Sequence, residues 1–161
     1  MIPFLSLLFY PVDNSLSTGE RNMKRISITI FFFVFVFIFS PAASAESAKG
    51  LYRKGTWYFF ISKMDKAVDA YSKAIELDPS FEKAYFERGR TLAFIGKHEE
   101  AVKDFTKVIE LNPKAGRAYH DRGISYKILG SEKEAIEDMK TSARLGYRGA
   151  QIILRTEGID W

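Results

Sequence analysis

Between residues 48 and 149 the apolar positions fall into runs of about 13 residues, long enough for helices and separated by short polar breaks. The clearest pair is 81–94, FEKAYFERGRTLAF, and 98–111, HEEAVKDFTKVIEL. Large apolar residues return at helical spacing in both, as in helices with one buried face. Glu99, Glu100, Lys103, Asp104 and Lys107 lie between them and read as a solvated face. Gly96 sits in the break, where a left-handed residue can end the first helix. Asn112-Pro113 ends the second, and Asp78-Pro79 ends the run before, because proline disfavours a helical residue ahead of it and has no N–H to donate. A helical pair this small cannot bury its own apolar face, whereas stacked pairs can. The pattern therefore predicts an all-α chain of stacked hairpins.

The pairs are copies of one another. Gly55, Gly89 and Gly123 are 34 residues apart, as are Ala67, Ala101 and Ala135, and Pro79 and Pro113. Tyr71 aligns with Phe105 and Tyr85 with Tyr119. Such a period signals a repeat architecture. The small residues lie where two helices approach closely, Gly89 on one and Ala101 on the other, with Tyr85 and Phe105 as bulky knobs beside them.

On these positions the chain resembles the tetratricopeptide repeat family, in units 48–81, 82–115 and 116–149. The resemblance implies a right-handed helical-hairpin solenoid of three units, closed by a C-terminal capping helix and tail over 150–161. Unit three departs from the pattern: Met139 replaces the aromatic and the terminal proline is lost, with Gly146 ending its helix. The helix expected over Ala150–Thr156 offers Ile152, Ile153 and Leu154 to cover the open end, with Trp161 packed on it. Terminal units of a stack are atypical for this reason.

Upstream, Ile26–Phe39 is an uncharged run of 14 residues, short of the ~20 that cross a bilayer. With Lys24-Arg25 before it and Ala43-Ser44-Ala45 after it, the run reads as a secretory signal peptide cut after Ala45. An uncleaved membrane anchor is the alternative. Met23-Lys24-Arg25 makes an ordinary start, so residues 1–22 read as an over-extended frame or, alternatively, a long leader. This places the chain outside the cytoplasm, periplasmic or secreted. Removing Asp13, Glu20, Arg21, Lys24 and Arg25 changes the net charge only from +4 to +3. That mild, mixed balance carries no basic block with interleaved aromatics, so nucleic acid is not an expected partner. The absence of cysteine removes disulfides, thiolate metal sites, a cysteine nucleophile and a lipidated cysteine.

No catalytic constellation, metal-ligand spacing or phosphate loop is present, and no cofactor, metal or small-molecule substrate is expected. His98 lies among charged residues and is expected to be exposed. In the family, the first helix of each pair lines a concave groove. The family's peptide-facing positions carry over to Tyr52, Thr56, Phe59 and Phe60, to Phe86, Arg90 and Phe94, and to Arg117, His120 and Ile124. Half of the phenylalanines are expected to pack between units, leaving an apolar groove with a basic component. The carboxylate clamp of one subfamily does not carry over: its positions hold Tyr52, Thr56, Glu87, Arg117 and Asp121, and the two acids would repel a carboxylate. The expected function is non-enzymatic binding of a protein or peptide, in the cell envelope. The alternative is a structural, self-associating assembly subunit contacting through Trp161.

Overall fold

The computed structural model describes residues 46–161; the signal segment, the Met23 start and the cut after Ala45 lie outside the described residues. Among the described residues the chain forms seven helices and no strand: α1 (Ala48–Phe60), α2 (Met64–Leu77), α3 (Glu82–Phe94), α4 (His98–Leu111), α5 (Gly116–Ile128), α6 (Glu132–Arg144) and α7 (Arg148–Thr156). Helices α1/α2, α3/α4 and α5/α6 pair as hairpins; α2 packs on α3, α4 on α5 and α6 on α7. The last helix begins at Arg148, two residues before the pattern places it, because the chain turns at Gly146 (φ +85°) with no proline to hold it extended.

The helix ends follow from local chemistry. Each first helix closes by the same pair of reversed hydrogen bonds, such as Gly96 N–H to Ala93 O (3.1 Å) and Lys97 N–H to Leu92 O (2.9 Å). This closure needs a left-handed residue, and Gly96 and Gly130 supply it at φ +82° and +80°. The first hairpin makes the same bonds through Ser62 at φ +58°, a strained choice for a residue with a Cβ. The second helices end at Asp78 and Asn112, both driven out of helical geometry by the proline that follows. Their side chains accept the N–H two residues on, from Ser80 and Lys114.

Inside each hairpin a glycine meets a large side chain. A Cβ on Gly55 would stand 2.6 Å from the Tyr71 ring, and one on Gly89 3.0 Å from the Phe105 ring. One on Gly123 would lie 3.4 Å from Met139 Cε. Tyr71, Phe105 and Met139 are all buried, as are Ala67, Ala101 and Ala135. Leu51, Ala74, Ile75 and Ala84 form one apolar cluster across the first two hairpins, and Leu92, Ala101 and Phe105 a second within the α3/α4 hairpin, bordered by Val68 of α2. Met139, Ala143, Ala150 and Leu154 form a third beneath α7. The core is a chain of neighbour-to-neighbour contacts, as expected of a solenoid. Ile153 borders the third cluster, whereas Ile152 is exposed and Trp161 is 40% exposed.

Asp104 is buried, not solvated. Arg88 on α3 donates from Nε and Nη2 to its two carboxylate oxygens (2.8 and 2.7 Å) and from Nη1 to Ser72 of the preceding hairpin (2.9 Å). The same clamp recurs 34 residues on: Arg122 holds Asp138 at 2.7 and 2.8 Å and reaches Thr106 at 2.9 Å. Burial pushes the Asp104 carboxyl up, against the hydrogen bonds and charge of Arg88; the same hydrogen bonding pushes Arg88 up and keeps it charged. His98 also departs from expectation: its Nδ1 is buried without a partner, beneath the start of α4.

Candidate functional site

The first helices of successive hairpins touch one another, α1 on α3 and α3 on α5, which puts them on one continuous face. Nine of the ten candidate residues fall on the exposed or half-buried parts of these helices, and His120 is nearly covered. They separate into three groups.

The floor centres on Phe86. Its ring packs at a tilt against buried Phe105 (centroids 5.9 Å apart), and two guanidinium groups lie over it: Arg117 at 5.3 Å and Arg90 at 6.0 Å. Arg90 also lies 6.0 Å from the Phe59 ring and donates to Glu87 at 2.9 Å. Arg117 is about half exposed and has only a long ion pair, 3.8 Å, to Asp121. Cation–π placement of this kind holds a guanidinium near apolar surface while leaving its donors free.

The rim consists of Phe60 and Phe94, 83% and 70% exposed, and Ile124, 38% exposed. Phe59 meets Phe94 edge-on at 6.2 Å and joins rim to floor. Of the four phenylalanines, Phe59 and Phe86 are thus half-buried between units and the other two stand free.

The remaining residues are engaged in packing. Tyr52 lies between Phe81 (5.2 Å) and Tyr71 (5.8 Å). Thr56 donates to the Tyr52 carbonyl at 3.1 Å and accepts from the Tyr71 hydroxyl at 3.4 Å. His120 stacks on Tyr147 (4.9 Å) and binds Asp121 through Nδ1 (2.8 Å). With the Tyr147 ring against it, the His120 side chain is 13% exposed. Burial raises the Tyr52 and Tyr71 phenols from 10.0.

Sequence spacing missed two features. Glu87 stands on the floor as the partner of Arg90, a role that the carboxylate-clamp pattern does not give it. Trp57, 57% exposed on α1, is the equivalent of Thr91 and Ser125, which are fully buried. Among the described residues no group of three or more His, Cys, Asp or Glu could hold a metal, and no helix is long and apolar enough to cross a membrane.

Residues 48–81 and 82–115 each match the tetratricopeptide repeat family model. No curated protein sequence matches the chain. The crystal structure of MamA is 29% identical, with a TM-score of 0.62 over 66% of this chain and 62% of that one. The second TPR of Spaghetti (RPAP3), bound to the HSP90 peptide SRMEEVD, is also 29% identical, with a TM-score of 0.60 over 62% of this chain and 93% of that one. YrrB, a TPR protein with an unusual peptide-binding site, is 25% identical, with a TM-score of 0.61 over 65% of this chain and 54% of that one. The chain thus spans less than two thirds of the MamA and YrrB chains. Residues 48–115 are thus two tetratricopeptide repeats, followed by a third hairpin built on the same glycine contact.

Proposed function

We propose that this protein is an exported, non-enzymatic interaction module that holds an extended segment of a partner protein on the face of α1, α3 and α5. The observation that carries the reading is the floor at Phe86. A half-buried aromatic ring lies open between two guanidinium groups, one of which also lies over Phe59, on the face where three helices align. Apolar anchors with a few fixed polar groups suit an extended peptide, whose side chains enter the pockets while the charges set its register. Two of the similar structures support this use of the fold, Spaghetti through its bound peptide and YrrB through its peptide-binding site. The HSP90 peptide itself is not the expected ligand, because Glu87 and Asp121 stand on this face. Export rests on the signal-type sequence ahead of residue 46.

A random peptide display library panned on the purified protein tests the groove. Peptides that bind wild type and are lost by the folded double variant Phe86→Ala/Arg90→Glu support it. Equal retention by both would move binding off this face. Amino-terminal sequencing of the protein from its native host tests export: a start at Glu46 supports it, and a start at or before Met23 overturns cleavage.

A further inference from the structure

The rim carries more than the groove requires. Phe60, Phe94 and Ile128 are the last residues of α1, α3 and α5 and stand 34 residues apart, so each occupies the same place on successive hairpins. They are the most exposed large apolar side chains on those helices, at 83%, 70% and 59%. Trp57, one turn before Phe60, and Leu129, beside Ile128, extend the row at its two ends. Scattered apolar residues are normal on a surface, but a continuous row marks a contact.

The charges beside the row change sign along it. At the first turn exposed Lys63 and Lys66 outnumber Asp65; at the third, exposed Glu132 and Glu134 outnumber Lys133. The middle turn carries Lys97 paired with Glu100 at 3.8 Å, leaving Glu99. A row with equal spacing about a central residue superposes on itself when reversed. With opposite charge at its two ends, the reversed copy meets attraction at both. That is the self-complementarity a two-fold interface demands. A parallel copy would set like charges together, and an anionic bilayer would be repelled by the third turn.

We propose that the rim is the interface between two copies of this chain, antiparallel about a two-fold axis at Phe94. Phe94 meets Phe94 of the other copy, and Phe60 meets the other copy's Ile128 at each end. The floor residues Phe86, Arg90 and Arg117 remain outside the contact, so dimerisation does not depend on the peptide-binding reading.

The chain has no cysteine, so single cysteines report the register directly. The protein, expressed from the full-length coding sequence, is treated with diamide, which takes up the two thiol hydrogens as the S–S bond forms. F94C is expected to give a covalent dimer roughly tenfold faster than F60C or I128C alone, because the interface holds its thiols far above bulk concentration. Mixing F60C with I128C is expected to restore the fast rate. Sedimentation of wild type is expected to show a dimer that dissociates on dilution, and Phe94→Glu a monomer with unchanged helical circular dichroism. A wild-type monomer at every concentration, F60C linking to itself as readily as F94C, or a Phe94→Glu dimer would each overturn the proposal.

Discussion

The close contact of helices within each hairpin makes a graded prediction for alanine at its three glycines. Removing glycine from a helix interior is worth about 0.5–1 kcal/mol in favour of alanine, so an unobstructed site would be stabilised. The added Cβ opposes this to a different degree at each position. At residue 55 it would stand 2.6 and 2.7 Å from ring carbons of Tyr71, which is 1% exposed and has nowhere to retreat. At residue 89 it would lie 3.0 and 3.2 Å from Phe105 and 3.1 Å from Asp104 Cβ, so the ring must yield by a few tenths of an ångström. At residue 123 it would meet the Ala135 carbonyl at 3.1 Å, Asp138 Cβ at 3.3 Å and Met139 Cε at 3.4 Å. The thioether is flexible enough to move aside. Overpacking costs about 1–3 kcal/mol where neighbours cannot adjust. The net expectation is a loss of about 2 kcal/mol for Gly55→Ala, about 1 for Gly89→Ala and within about 0.5 of zero for Gly123→Ala. Urea unfolding followed by far-UV circular dichroism, compared at a common slope, measures the series. If Gly123→Ala cost as much as Gly55→Ala, or Gly55→Ala stabilised the fold, the glycines would not be there to admit the knobs.

Three further expectations follow from the hairpin geometry. Asp104→Leu strands the guanidinium of Arg88, only 22% exposed, and should cost about 3 kcal/mol; the double variant Arg88→Met/Asp104→Leu should return to within about 1 kcal/mol of wild type, and strict additivity in the urea cycle completed by Arg88→Met would show that the pair is not coupled. Ser62→Gly relieves the left-handed strain of the first turn and should stabilise by about 0.5 kcal/mol, read as a higher urea midpoint, with no gain refuting the strain. Burial holds the Tyr71 phenol above 10.0, so the folded state keeps a proton that the unfolded state releases. Stability contributed this way is complete below pH 10 and falls as the pH rises through the folded value; Tyr71→Phe should flatten that alkaline loss in a urea series, and an unchanged profile would assign it elsewhere.

The fold was legible because its determinants are local and repeat. Gly89 beside Phe105, the left-handed residue at Gly96 and the Asn112-Pro113 stop each act within one hairpin and recur at the same period. What stayed hidden depends on partners from different helices. Asp104 sits in a stretch of alternating charge that reads as solvated, and only Arg88, sixteen residues away on the neighbouring helix, explains its burial. The signal was nonetheless present: Arg88 and Arg122, Asp104 and Asp138, and Ser72 and Thr106 all keep the 34-residue interval. A charge pair that repeats with the core is part of the core. That Phe86, Arg90 and Arg117 lie together was likewise readable from repeat positions. That Tyr52 and His120 are covered was not, since Phe81 and Tyr147 reach them from the entrances to α3 and α7.

The same comparison between equivalent positions sets the first hairpin apart from the second and third. Thr91 and Ser125 are fully buried because each is pressed between two hairpins, and only a small side chain fits there. Their counterpart in the first unit is Trp57, whose indole could not enter such a gap and stands 57% exposed against the edge of Tyr58. The clamp is missing there too: Lys54 occupies the place of Arg88 and pairs with Glu46 at 3.3 Å, and Ala70 occupies the place of Asp104. Without those groups a hollow of about 250 Å³ opens between α1 and α2, lined by Leu51, Tyr58 and Ala70 with lysines at its mouth. Volume and charge at three equivalent positions therefore set the first hairpin apart from the two that follow it.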